Sequence, residues 1–121
     1  MSRNRSILIV EDEPLIAMML EDFIMSLGHD VSGSCDSVES ALEEVEGGSF
    51  DLAILDVNLK GRAVWPVASA LRAKGVPFVL ASGGHVDPPP AEFLDVPMIE
   101  KPYTIDRVSP VIAAALETAN P

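Results

Sequence analysis

The chain has little cysteine, little positive charge and no long apolar run, and each shortage excludes a class of protein. One cysteine among 121 residues cannot form an internal disulfide. Only four consecutive apolar residues precede an acidic cluster near the N-terminus, which is too few for a signal peptide. No apolar run approaches the roughly 18 residues that a membrane-spanning helix needs. We therefore expect a cytoplasmic protein that does not associate with membranes.

The shortage of lysine and arginine disfavours a protein that binds nucleic acid. The chain has 8 Lys and Arg against 19 Asp and Glu, for a formal net charge of −11. Proteins that bind the phosphate backbone present basic patches, which this composition does not supply. The length of 121 residues and the 48% hydrophobic content fit one globular domain. We therefore expect a single domain over residues 1–121.

Short apolar runs alternate with helical patterns along the chain. Runs rich in Ile, Val and Leu predict buried strands at residues 7–10, 52–55, 78–81 and 96–99. A weaker pattern predicts an edge strand at residues 31–35. Apolar residues at helical spacing predict helices over residues 14–27, 37–45, 64–74 and 104–119. This alternation predicts right-handed crossovers and a doubly wound parallel α/β sheet.

The connection between the last two strands differs from the others. It contains two glycines at residues 83–84 and three prolines at residues 88–90, which leave few positions that can form a helix. We expect residues 83–95 to be irregular and mobile, with at most one helical turn near residues 91–94.

Polar residues follow four of the predicted strands. They are Glu11 and Asp12, Asp56, Ser82, and Lys101. Parallel strands would bring these residues to one edge of the sheet, where open α/β folds bind ligands. Two carboxylates ~6 Å apart repel by about 3 kcal/mol, so the three acids need a cation. Oxygen ligands without a Cys or His cluster favour Mg²⁺, and the set suits phosphoryl transfer to Asp56.

Four segments in this order resemble the receiver domain of two-component response regulators. They are residues 7–14 (ILIVEDEP), 55–59 (LDVNL), 81–83 (ASG) and 101–103 (KPY). The resemblance implies a flavodoxin-like or CheY-like fold, with a five-stranded parallel sheet in the order 2-1-3-4-5 and here a short or irregular fourth helix. It also implies a stand-alone phosphorelay module, not an enzyme, that receives a phosphoryl group from a histidine kinase.

The resemblance implies a role for each residue of the predicted site. Asp56 would accept the phosphoryl group, Ser82 would be the switch hydroxyl, and Lys101 would pair with the phosphate. The Mg²⁺ ligands would be Asp12, Asp56, Glu11 through a water molecule, and the backbone carbonyl of Asn58. The donor would be a histidine kinase or a phosphotransfer protein, and the chain would be a monomer or a weak homodimer.

The chain also departs from the common receiver pattern. The usual Met-Pro-x-x-Gly segment after the acceptor is replaced by a shorter loop at residues 58–61, and Met98 stands where an aromatic switch residue is usual. Residues 80–85 (LASGGH) resemble the Phe-Ala-Thr-Gly stretch of an alphaproteobacterial single-domain subgroup. That subgroup is linked to kinases of the HWE/HisKA2 type, which are therefore the expected donors.

Two other functions use part of the same pattern. A Mg²⁺-dependent phosphatase of the haloacid-dehalogenase type also has a strand-end aspartate, but it needs an acid two residues later, where this chain has Asn58. A flavodoxin-like nucleotide binder needs a glycine loop after the first strand, where this chain has Glu11 and Asp12. Both alternatives are therefore weaker than the receiver interpretation.

Overall fold

Three short runs of aliphatic residues form the centre of a five-stranded parallel sheet, because their side chains are apolar on both faces, and two strands with more polar residues form its edges. The computed structural model describes residues 5–82, 89–100 and 103–119. The strands are β1 (Ser6–Val10), β2 (Asp30–Cys35), β3 (Leu52–Asp56), β4 (Phe78–Ser82) and β5 (Met98–Glu100). Their order is β2-β1-β3-β4-β5, and all pairs are parallel. The predicted fold class and strand order are confirmed.

Four α-helices cover the two faces of the sheet in the described part of the chain. They are α1 (Pro14–Ser26), α2 (Val38–Gly47), α3 (Trp65–Ala73) and α4 (Ile105–Ala119). The Oγ of Ser37 accepts a hydrogen bond from the Ser40 amide (3.1 Å) and so caps the N-terminus of α2. None of the described helices combines the length and apolar character that crossing a membrane would require.

Side chains alternate between two hydrophobic clusters along the strands. Ile7 and Ile9 of β1 face α1 and α4, whereas Leu8 and Val10 face α2 and α3. All four side chains are fully buried. Because both faces of the strand are buried, its residues form a continuous apolar segment. Polar side chains occur beyond its end, at the carboxyl edge of the sheet.

A β-hairpin follows β3, where the sequence indicated only a shortened loop. Asn58–Leu59 pairs with Arg62–Ala63 in antiparallel register. The two residues between them, Lys60 and Gly61, have φ values of 50° and 81°. Positive φ at both central residues is the geometry of a type I′ turn, whose twist matches that of the paired strands. We call residues 58–63 the hairpin.

The connection between β4 and β5 has one short 3₁₀ helix, Ala91–Phe93, in its described part. This agrees with the predicted single turn, while residues 83–88 lie outside the described residues. Phe93 is only 1% exposed and stacks on Trp65, with ring centroids 5.6 Å apart. The guanidinium of Arg72 lies 4.8 Å from the Phe93 ring centroid. The backbone is thus irregular, but a buried aromatic side chain attaches it to the core.

Candidate functional site

Three carboxylates converge at the carboxyl edge of the sheet. Glu11 and Asp12 follow β1, and Asp56 is the last residue of β3. The parallel register pairs Val10 with Leu55, so the next residue of each strand lies at the same level. One carboxylate oxygen from each of the three residues lies within 4.8 Å of the others. We call Glu11, Asp12 and Asp56 the acidic cluster, and it brings together three of the predicted site residues.

Glu11 is the buried member of the acidic cluster. Its side chain and backbone are 3% exposed, and its amide donates to the Cys35 carbonyl (2.9 Å), which holds it beside β2. Its Oε2 accepts a hydrogen bond from the Glu13 amide (3.1 Å). Its Oε1 is buried and has no hydrogen-bond partner among the described residues. One acidic oxygen is therefore buried and unsatisfied at the centre of the site.

The pKa of Glu11 is raised to about 8 from an ordinary value of 4.5, chiefly because the carboxyl group is buried. The negative charge of Asp56 contributes to the rise, and the hydrogen bond from the Glu13 amide opposes it. At an effective dielectric constant near 20, two carboxylates 4.8 Å apart repel by roughly 3.5 kcal/mol. The cluster is thus unfavourable when all three members are ionised and nothing compensates their charge.

The donor atoms of the acidic cluster fit a hard divalent cation. All three are carboxylate oxygens, and the buried Glu11 Oε1 is an available acceptor. Mg²⁺ prefers oxygen ligands and is commonly held by one or two carboxylates together with water. The residues present therefore fit the ion that the sequence predicted.

Ser82 and Asn58 lie beside the acidic cluster along the backbone. The register pairs Asp56 with Ala81, and Ser82 is the next residue of β4 and is buried. Asn58 follows Asp56 by two residues and begins the hairpin. Lys101, predicted to pair with the phosphate, lies outside the described residues, as does Pro102. Met98, predicted at the aromatic switch position, is a partly buried residue of β5 that packs against the α2 and α3 side of the core.

Two residues near the acidic cluster were not assigned a role from the sequence. Tyr103 is buried, and its pKa is raised first by burial and then by the negative charges of Asp56 and Glu11. Lys60 contributes its main-chain amide, which donates to Oδ2 of Asp12 (2.8 Å). Tyr103 could have been noticed from the sequence, because it belongs to the KPY segment. The contact of the Lys60 amide depends on a backbone turn, which side-chain patterns do not reveal.

Comparisons with known proteins agree with this geometry. Residues 7–110 match the family described as the response regulator receiver domain. The chain is 27% identical over 126 residues to the transcriptional regulatory protein FixJ of Bradyrhizobium diazoefficiens, covering all of this chain and 61% of FixJ. The chain thus spans about three-fifths of that curated relative.

Solved structures are similar over nearly the whole chain. The solution structure of SdrG from Sphingomonas melonis Fr1 is 52% identical, with a TM-score of 0.85, and covers 96% of this chain and 99% of SdrG. The BeF3-activated conformation of SdrG, from Pseudomonas melonis Fr1, is 53% identical, with a TM-score of 0.79, and covers 92% of this chain and 95% of that one.

Proposed function

Because the chain belongs to the response regulator receiver domain family, we propose that Asp56 is the residue that accepts its phosphoryl group. Receiver domains are signalling modules of two-component phosphorelays, and activation of SdrG by BeF3 supports phosphorylation on an aspartate. The observation that carries the assignment is the position of Asp56 at the end of β3 within 4.8 Å of two other carboxylates. A haloacid-dehalogenase-type phosphatase has no support from these similarities.

The proposed reaction forms one bond and breaks one. An Asp56 carboxylate oxygen attacks the phosphorus of a donor phosphohistidine, and the phosphorus–nitrogen bond breaks. The imidazole leaves with the electron pair and takes up a proton. Ser82, buried beside Asp56, and Lys101 are proposed to bind the phosphoryl oxygens. We expect the phosphorylated state to accumulate rather than turn over, as suits a signalling module.

Four residues are proposed to hold Mg²⁺: Asp12, Asp56, Glu11 through a water molecule, and the Asn58 backbone carbonyl. When bound, the ion would neutralise the charge of the carboxylates and of the phosphoryl oxygens. The support for this assignment is the all-oxygen acidic cluster and the unsatisfied buried oxygen of Glu11 among the described residues.

The phosphoacceptor is tested with Asp56→Asn. The parent protein, incubated with acetyl phosphate or a phosphorylated histidine kinase and Mg²⁺, should gain about 80 Da in intact mass. Asp56→Asn should gain nothing. The control is Asp30→Asn, which changes an exposed aspartate at the opposite edge of the sheet and should be labelled like the parent. Full labelling of Asp56→Asn would refute the assignment.

An exposed apolar stripe on α1 is proposed to dock the phosphohistidine donor. Leu15, Met18 and Met25 recur at helical spacing and are exposed, and Leu15 is three residues from Asp12. A donor must approach Asp56 from this edge, so the stripe is continuous with the proposed site. We propose a histidine kinase, of the HWE/HisKA2 type on the resemblance of residues 80–85, or a phosphotransfer protein.

Met18→Glu separates docking from chemistry. We expect it to slow phosphoryl transfer from the kinase by at least about tenfold, because a charge replaces an exposed apolar contact at an interface. Labelling by acetyl phosphate, which needs no docking surface, should be unchanged. Equal transfer from the kinase to Met18→Glu and to the parent would place the docking surface elsewhere.

We also propose that residues 1–121 form one receiver domain that is a monomer or a weak homodimer. The five-stranded sheet, whose strands come from residues 6–100, and the family match over residues 7–110 support this interpretation. Light scattering across a range of protein concentrations, with and without beryllofluoride, would measure the oligomeric state. A stable dimer at low concentration without beryllofluoride would contradict it.

A further inference from the structure

We propose that the main-chain amide of Lys60 positions Asp12 for Mg²⁺, which makes the hairpin a support for the metal site. The inference rests on the proposed Mg²⁺ site in the acidic cluster. It starts from one contact: the Lys60 amide donates to Oδ2 of Asp12 at 2.8 Å, although the two residues are 48 positions apart in the chain.

The geometry of the turn makes this donor available. Lys60 and Gly61 are the two central residues of the turn, with φ values of 50° and 81°. The hydrogen bond of a β-turn joins its first and fourth residues, so the turn itself does not use the amide of the second residue. The Lys60 amide can therefore point to Asp12, and it does so only while the backbone keeps its left-handed conformation at both central positions.

Asp12 needs such a partner more than the other two acids do. Asp56 belongs to β3, and Glu11 is buried and bonded to the Glu13 amide. Asp12 lies beyond the end of β1, is only partly buried, and is repelled by both neighbouring carboxylates. A carboxylate has two oxygens, so the amide can hold one oxygen and leave the other for an ion. A group that fixes a ligand in this way commonly raises metal affinity.

The charged side chains of the hairpin also make contacts, and these are exposed. Lys60 Nζ lies 3.3 Å from Asp36 Oδ2, and Arg62 pairs with Glu39 of α2. All four side chains are more than half exposed, so salt and water weaken both pairs. The backbone amide of Lys60 therefore has the positioning role, and the two ion pairs are secondary contacts.

Substitutions at Gly61 alter the turn without changing any side chain of the acidic cluster. A Cβ at Gly61 would meet no atom within 4 Å, and the positive φ of 81° is the feature that a substitution there strains. Gly61→Val strongly disfavours positive φ, whereas Asn tolerates it, which makes Gly61→Asn the matched control. Mg²⁺ affinity is measured by titration of amide resonances or of Trp65 fluorescence.

We expect Gly61→Val to weaken Mg²⁺ binding roughly three- to tenfold, because an exposed supporting bond lies at the low end of such effects. Gly61→Asn should bind within about twofold of the parent, since the turn is preserved. The Lys60 amide resonance of the metal-free protein should move in Gly61→Val and stay in Gly61→Asn. Thermal unfolding reports whether each variant is folded, and Gly61→Ala replaces Gly61→Val if the latter does not fold.

Asp36→Asn separates the amide from the ammonium of Lys60. It removes the ion pair with Lys60 and leaves the turn intact, so its Mg²⁺ affinity should match the parent. Equal affinity of Gly61→Val and the parent would overturn the positioning role, as would equal weakening by Gly61→Asn or by Asp36→Asn. Absence of Mg²⁺ binding by the parent protein would instead refute the proposed metal site itself.

Discussion

Two of the connections that leave the carboxyl edge of the sheet differ in how they are held. The hairpin follows β3; its Leu59 is buried in the core, and its turn is held by exposed polar contacts to Asp12, Asp36 and Glu39. Residues 89–97, which we call the Phe93 segment, precede β5 and are held by a buried aromatic ring. The hairpin has regular hydrogen bonding, one buried leucine and a turn held by polar contacts, whereas the Phe93 segment has little regular structure and an aromatic anchor.

The comparison shows that a segment can be firmly attached to the core without regular secondary structure. Burial of an aromatic ring depends little on salt or on the charge of the site. Charged contacts at the surface weaken with salt and depend on the ionisation of their partners. Through Asp12 the hairpin is therefore coupled directly to the electrostatics of the acidic cluster.

The largest expected effect comes from removing the apolar anchor. Phe93→Ala should lower the free energy of unfolding by about 3–5 kcal/mol, because it empties a site between Trp65, Phe78 and Arg72. Hydrogen exchange should become faster in the Phe93 segment and stay unchanged in the hairpin. Leu94→Ala, at an adjacent exposed position, is the control and should cost less than about 0.5 kcal/mol. Similar losses for both variants would show that Phe93 is not the anchor.

An intermediate effect is expected from pH in metal-free buffer. The folded pKa of Glu11 is raised to about 8, so the folded state binds more protons than the unfolded state between pH 4.5 and 8. The free energy of unfolding should therefore fall as pH rises through this range, by on the order of 2 kcal/mol in EDTA.

Millimolar Mg²⁺ should reverse most of this loss at pH 8, because a cation offsets the charge of the ionised cluster. Denaturant unfolding at several pH values, with EDTA or with Mg²⁺, measures both effects. Glu11→Gln, which carries no charge at this position, should show a smaller pH dependence. Stability that rises from pH 5 to pH 8 in EDTA would contradict the raised pKa.

The smallest effect is expected from the ion pairs of the hairpin. Arg62→Ala should change the free energy of unfolding by less than about 0.5 kcal/mol, because its pair with Glu39 is exposed. The difference between this variant and the parent should vanish in about 1 M NaCl, where exposed charges are screened. A cost above roughly 1 kcal/mol that persists in high salt would show that the hairpin is attached as firmly as the Phe93 segment.

The sequence predicted β1, β3 and β4 well because each is a short apolar run with polar residues at one or both ends. Predicted and observed bounds of β1, β3 and β4 differ by one residue at one end. The weakest prediction was β5, expected at residues 96–99 and observed at Met98–Glu100. Val96 is apolar because it packs against the core, not because it belongs to a strand. An apolar run indicates that its residues are buried. Buried residues form a strand only where their backbone also pairs with a neighbouring strand.

The candidate site was predictable to the extent that parallel strands bring their carboxyl ends together. This rule placed Glu11, Asp12, Asp56 and Ser82 at one edge, as the structure does. The roles of these residues and of Lys101 stay predictions. The Lys60 amide was missed because a backbone donor has no signature in side-chain identity. The hairpin was also missed, since Lys60 occupies a turn position where Asn, Asp or Gly is usual.

By itself, the sequence determined the order of strands and helices, the parallel sheet and the meeting of acidic residues at its edge. These follow from local periodicity and from the handedness of the connections, which act over short stretches of chain. Only the tertiary structure decided that the Lys60 amide meets Asp12, that Phe93 lies between Trp65 and Phe78, and that one oxygen of Glu11 is buried. These contacts join residues distant in the chain, and their strength depends on the burial and orientation that packing imposes.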